Sequence, residues 1–197
     1  MDENRPYVRD VAGRILGKLR IISSSPSGKA ALAKIRNSAG KSMHESSDVW
    51  PFIFDEMPEG FLGTGKHESA EEKSILLALQ LYAIHQQGKG YDVILDPKEK
   101  KWSNVGTAFR SMRIGGDSAA IDRRFNALIT SATFEELANH LRQMIKLLKS
   151  KTDAKLDYAQ LAQDLYWIIV GSESQVRLKW AREYYFNYGL EKGEENE

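Results

Sequence analysis

The chain has 197 residues, 42% hydrophobic and 28% charged, and its 28 basic and 27 acidic side chains leave a formal net charge of +1. That size allows one good core or two small bundles that share a face, and the absence of cysteine excludes disulfides, thiolate metal sites and thiol nucleophiles, as expected of a protein of the reducing cytoplasm. No apolar run approaches the roughly 20 residues needed to cross a bilayer, and the opening MDENRPYVRD lacks the apolar block of a signal peptide, so no membrane partner is expected.

Taken in chain order, the pattern is helical almost throughout. Val8, Val11, Ala12, Ile15 and Leu19 recur at helical spacing. The alanine-rich SGKAALAKIRNSAG, residues 27 to 40, ends on Gly40 as a C-cap. Ser69 followed by Glu72 forms a capping box ahead of ILLALQLYAIHQQ, which stops at Gly88 and Gly90. Its apolar face is wide, so this helix should be buried. Ile121, Phe125, Leu128 and Ile129 make one stripe, and Thr133 with Glu136 caps a helix whose core face is Phe134, Leu137, Ala138, Leu141, Ile145 and Leu148. Asp157 caps YAQLAQDLYWIIV, which Gly171 ends, and SQVRLKWAREYYFNY stops near Gly189. The expected fold is all-α, an elongated arrangement of about eight helices. Glycine-rich connections near 88–90 and 115–116 mark the internal boundaries, giving an N-terminal bundle over 1–115, a C-terminal bundle over 116–188 and an acidic flexible tail over 189–197.

One segment competes with an all-helical reading. GFLGTGKH, residues 60 to 67, fits G-x-x-x-x-G-K after the apolar FIF at 52–54, and DVILD, residues 92 to 96, reads as a strand ending in an acid. A phosphate loop needs a hydroxyl after its lysine to hold Mg²⁺, and that position is His67. The helix capped by Ser69 also starts too late to aim its amides at a phosphate on Lys66. A nucleotide-hydrolysing function is therefore not expected. His44, His67, His85 and His140 are scattered without metal-ligand spacing. His85, at the end of a buried helix, should meet the helix dipole or a neighbouring carbonyl. No serine sits in a nucleophile elbow. No catalytic residue, metal or cofactor is expected.

Charge is unevenly distributed. Residues 1–41 carry net +6, 42–73 net −6, 101–151 net +5 and 152–197 net −4, so a neutral molecule can still present a local cationic surface. The stretch FRSMRIGGDSAAIDRRF, residues 109 to 125, holds Arg110, Arg113, Arg123 and Arg124. With Ile121, Phe125 and Leu128 facing the core, Arg123 points away from it and Arg124 lies on the flank. Arg110 and Arg113, three apart, share a face, and Arg142, Lys146 and Lys149 form one stripe on the following helix. Successive cationic stripes suit a phosphate backbone, which arginine's planar fork can grip without reading bases. Solvated helix faces are the plainer alternative. On the last helix Val176, Trp180 and Tyr184 line one side while Leu178 and Tyr185 sit nearly opposite, so the helix is either sandwiched or docks on a partner. Its aromatics interleave with Arg177, Lys179 and Arg182, which would also allow stacking on bases. Leu147, off its own core stripe, points to a protein contact.

The blocks KAALAKIRNSAGKS, WPFIFDEMPE, LALQLYAIHQQ, AIDRRFNALITSATFEELANHLRQMIKLLKS, KLDYAQLAQDLYWI and VRLKWAREYY together resemble the CasB family, the small subunits of the type I-E CRISPR interference complex, Cascade. The resemblance implies a non-catalytic helical subunit, with two copies lying beside the guide RNA paired with target DNA. It implies that basic surface residues help hold the unwound state, including the displaced strand. Its partners would then be guide RNA, target DNA, other Cascade subunits and a second copy of itself. The family's basic positions fall at Lys34, Arg36, Arg110, Arg123, Arg124, Arg142 and Lys146. Asn37 stands where a second basic residue is common. Arg113, Lys149 and Arg177 are added on helical geometry. Sequence specificity would come from guide pairing. The competing function is a scaffold that binds neighbouring proteins and touches no nucleic acid.

Overall fold

The computed structural model describes residues 7–95, 104–113 and 118–186; Asp96, the glycine connection at 115–116 and the acidic tail lie outside them. The elements are α1 (Val8–Ile22), α2 (Pro26–Asn37), α3 (Trp50–Ile53), α4 (Ala70–Gln86), α5 (Val105–Arg110), α6 (Ser118–Ile129), α7 (Phe134–Lys151), α8 (Tyr158–Trp167) and α9 (Glu173–Tyr185). The all-α reading holds.

The helix α4 is the central post. Every residue from Ser74 to His85 is buried, so it has no solvent face, and α1, α2, α7 and α8 pack around it. Its start is fixed by the expected capping box: the Ser69 hydroxyl accepts from Glu72 N–H at 2.9 Å while the Glu72 carboxylate accepts from Ser69 N–H at 2.8 Å. Such a pair satisfies two of the orphan donors at a helix start. Helix α1 lays Val8, Val11, Ala12, Ile15, Leu16 and Leu19 against the core, seated mainly on α8, while α5 seats on α9. At that second contact a Cβ on Gly106 would stand 2.0 Å from the Trp180 carbonyl oxygen, so the two backbones approach where only glycine fits. Helices from both sides of the 115–116 connection thus interlock around one hydrophobic core.

Asp157 and Thr133 cap as expected, accepting from Gln160 and Glu136 backbone N–H groups at 2.8 and 3.1 Å. Past Trp167 a wide turn over Ile168–Ser172, with Gly171 at φ +94°, carries the chain into α9. The expected strand differs. Phe52 and Ile53, in the apolar run before the loop, belong to α3, and among the described residues of DVILD there is a parallel bridge but no strand, with Leu95 N–H donating to the Leu156 carbonyl at 3.1 Å and Leu156 N–H to the Val93 carbonyl at 3.0 Å. GTGKH is a tight turn bridged between Thr64 and His67, with an exposed Lys66 and no sheet among the described residues to support a phosphate loop. No helix among them is long and apolar enough to cross a membrane.

Candidate nucleic-acid interface

Helices α2 and α7 flank α4 and leave a valley over its C-terminal half. Ser25 starts α2 by accepting from Gly28 N–H at 3.0 Å, and a Cβ on Gly28 would meet the Ile22 carbonyl oxygen at 1.9 Å. The chain therefore reverses tightly between α1 and α2, which sets the line of α2 along α4. The valley is a hollow of about 910 Å³ with Ala39, Ile84 and Gln87 in its lining, Arg36 from α2, Lys146, Lys149 and Ser150 from α7, and Gly88 and Lys89 from the turn after α4. Every charged residue of that lining is a cation.

Folding leaves these charges largely uncompensated. Arg36 and Lys146 have no hydrogen-bond or ion-pair partner among the described residues. Lys149 donates to the Gln87 side-chain oxygen at 3.2 Å, which is neutral. Burial holds the Lys149 ammonium below its ordinary pKa, and the positive charges of Arg36 and Lys89 push it further the same way. Lys89 alone in this lining has an acidic partner among the described residues, donating to Asp153 at 3.0 Å as well as to the Thr152 carbonyl at 3.3 Å. Beneath the valley lies His85. The sequence pointed to a dipole or carbonyl partner; instead its Nδ1 meets the Tyr158 hydroxyl at 2.9 Å. Burial first, then Lys89 and Lys149, lowers its pKa to about 4, so the ring is neutral at pH 7.

One turn back along α7, Arg142 opens onto a smaller hollow of about 320 Å³ that mixes Lys41 and Lys73 with Glu45, Glu68 and Glu135. Arg142 bonds Asn139, and burial lowers its pKa. At the other end the valley meets a cleft of about 780 Å³ between the end of α1, the start of α2 and the turn after α4.

The remaining cations have other surroundings. Lys34 is exposed on α2, two residues from Arg36 and so on another side of the helix. Arg123 and Arg124 are exposed on α6 without a partner among the described residues. Arg110 is half-buried and donates to the Phe186 carbonyl at 2.9 Å, closing the end of α9. Arg113 overturns the expectation of a shared cationic face. Residues 111–113 form a tight 3₁₀ turn that carries Met112 and Arg113 inward. There Arg113 is 9% exposed, lies 2.9 Å from Asp122 and sits 5.0 and 5.4 Å from the ring centres of Tyr184 and Tyr185. Arg177 donates to the Ser131 carbonyl at 2.8 Å, bracing α9 against the turn before α7. Lys89 is a functional candidate that helical spacing does not mark; its only signal in the sequence is a lone lysine between Gly88 and Gly90.

Protein contacts also differ from expectation in one place. Leu147 packs on the core, whereas Leu178 is 51% exposed on α9 and Trp167 and Val170 stand out near the α8–α9 turn. The last helix is covered on one side only.

Residues 31–185 match the family model described as CRISPR-associated protein Cse2. A Cse2 protein of Thermus thermophilus is 28% identical over 177 residues, covering 87% of this chain and 88% of that one. The crystal structure of CasB from Thermobifida fusca superposes with a TM-score of 0.64 at 27% identity, over 90% of this chain and 94% of its own. A chain of a CRISPR RNA-guided surveillance complex shares the fold at a TM-score of 0.69 and 15% identity, over 90% and 93% of the two chains. With its family signature running from α2 to the end of α9, this chain belongs to the CRISPR-associated Cse2 family.

Proposed function

We propose that this chain is a non-catalytic small subunit of the type I-E CRISPR surveillance complex, Cascade, and that it holds a nucleic-acid backbone in the valley between α2 and α7. The observation that carries this reading is the all-cationic charge of the valley lining, from Arg36, Lys89, Lys146 and Lys149. Arg142 extends the row at one end, while Lys34, Arg123 and Arg124 are outlying contacts. Phosphate is the fitting ligand because it pairs with guanidinium and ammonium groups without regard to base. The guide RNA, the target DNA or its displaced strand would supply it, and sequence would be read by pairing to the guide. The exposed Leu178, Trp167 and Val170 favour a simultaneous protein contact, to another Cascade subunit or a second copy. Such a contact would be the whole function if the chain were a scaffold.

A salt titration separates the two. Each phosphate contact to a single strand adds about 0.7 to the slope of log affinity against log salt. Replacing Arg36, Lys146 and Lys149 together by alanine should lower that slope by about two while leaving the urea midpoint in place. A wild-type protein with no steep salt dependence for strand binding would leave the scaffold reading.

A further inference from the structure

The cleft at the α1 end of the valley has a composition that a phosphate row does not need. Arg20 and Asp92 pair with each other across it and cancel. Lys29 and Arg36 have no partner among the described residues, so the net charge left in the cleft is positive. Beside them Tyr91 presents an aromatic side chain, 38% exposed. Tyrosines on mobile turns usually swing; this one is fixed at both ends. Its hydroxyl donates to Asp153 at 2.6 Å, its carbonyl accepts from the Gln86 side chain at 2.8 Å, and the Gln86 oxygen accepts from Val93 N–H at 3.1 Å. The Lys89 ammonium lies 5.3 Å from the ring centre, which adds a cation–π contact. An aromatic ring held in place at the solvent boundary loses little entropy when a flat ligand stacks on it.

We infer that this cleft is a nucleobase site, in which one unpaired base stacks on Tyr91 while its phosphates lie against Lys29 and Arg36. The inference rests on the backbone-gripping reading of the valley and sharpens it: the ligand is a single strand with an unstacked base. Arg36, Gln87, Gly88 and Lys89 line both hollows, so a strand that follows the valley reaches the cleft without leaving protein. The volume of about 780 Å³ falls in the range of small-ligand sites, and the face of any base can stack on a tyrosine, so the site would not select sequence.

The test compares an oligodeoxyadenylate with an abasic strand of the same length, both titrated onto the full chain at low salt. Both strands carry the same phosphates, so the valley grips them equally and the difference reports the base. The adenylate strand should bind about tenfold tighter, within the range that aromatic stacking contributes. Tyr91→Ala should erase the difference by weakening the adenylate strand alone, with the salt slope unchanged. Tyr91→Phe, which keeps the ring and loses the Asp153 bond, should retain most of the preference, so a loss confined to Tyr91→Ala is not a folding effect. Equal affinity for both strands, or a preference that survives Tyr91→Ala, overturns the inference and leaves the backbone grip standing. No binding of either strand overturns the grip and the base site together. Deoxyadenylate monophosphate binding as tightly as the strand would make the cleft a free-nucleotide site and overturn its assignment to a strand.

Discussion

Two regions of this molecule gather cations, and folding treats them in opposite ways. Between residues 109 and 125 four arginines lie within one short stretch of chain. Folding separates them: Arg113 goes inside against Asp122, Arg110 is spent on the end of α9, and only Arg123 and Arg124 remain exposed. The valley does the reverse. Arg36, Lys89, Lys146 and Lys149 are distant in sequence, and α2 and α7 bring them together over α4. What matters for binding a polyanion is the carboxylates and carbonyls each cation meets after folding, because a compensated charge attracts little at the surface.

The sharpest way to break this contrast is at Arg113. Asp122 is partly exposed and keeps its bond from the Tyr184 hydroxyl at 2.6 Å, but removing the buried Arg113 side chain takes away the ion pair, both tyrosine ring contacts and the packing of its stem, about 3 kcal/mol in all. Arg113→Ala should show that loss in urea unfolding, with no change in the salt slope of strand binding. A stable Arg113→Ala protein with weakened binding would return Arg113 to the surface track.

Acid should reveal the valley's charge through His85. The ring is neutral in the fold, with a pKa of about 4, whereas a histidine in the unfolded chain protonates near pH 6.5. Below pH 6.5 the unfolded state therefore binds more protons, and stability falls as pH drops from about 6.5 towards 4, by about 3 kcal/mol over that window. Above pH 6.5 this contribution to the pH dependence vanishes. Asp164, whose carboxyl is held above its ordinary range mainly by burial, changes stability in the opposite sense, so the measurement is the difference between wild type and His85→Gln at each pH. Lys149→Ala should shrink the window by removing one of the charges that keep the ring neutral. A His85 pKa unmoved by that substitution would mean that the valley's field does not reach it.

Arg110 should sit lower on the scale. It closes α9 by donating to the carbonyl of Phe186, a contact at a helix C-terminus that contributes about 1 kcal/mol. Arg110→Ala should lower the urea midpoint by that amount and leave strand affinity nearly as it was.

The same contrast marks how far the residues could be read without coordinates. The caps at Ser69, Thr133 and Asp157 and the burial of α4 from Ser74 to His85 follow from neighbours within a turn or two, where spacing alone decides the contact. The stripe of Arg142, Lys146 and Lys149 was visible for the same reason, as one face of one helix. The place of Arg113 is hidden from spacing because its surroundings come from Tyr184 and Tyr185 on α9 and from a 3₁₀ turn in place of an α-helical register. Lys89 is hidden in the same way, because a lysine in a glycine turn carries no periodic signal; its place depends on where α7 passes. The pairing of Arg36 with α7 is likewise a tertiary fact, set by the close approach at Gly28.

The smallest stability effect belongs to Arg123 and Arg124, and it decides how far the cationic track extends. Both are exposed and without partners among the described residues, so replacing them with alanine should change stability by no more than about 0.5 kcal/mol. Their effect on binding depends on geometry. Exposed charges act over a Debye length of about 8 Å at physiological salt, and α6 contributes nothing to the lining of the valley. If the strand stays in the valley, the double substitution should weaken binding less than threefold at 150 mM salt, well short of the Arg36, Lys146 and Lys149 triple. If the strand leaves the valley and crosses α6, the double substitution should instead lower the salt slope by more than one. The contrast between the two regions would then have to be redrawn, with these two arginines on the same side as the valley and only Arg110 and Arg113 serving the fold.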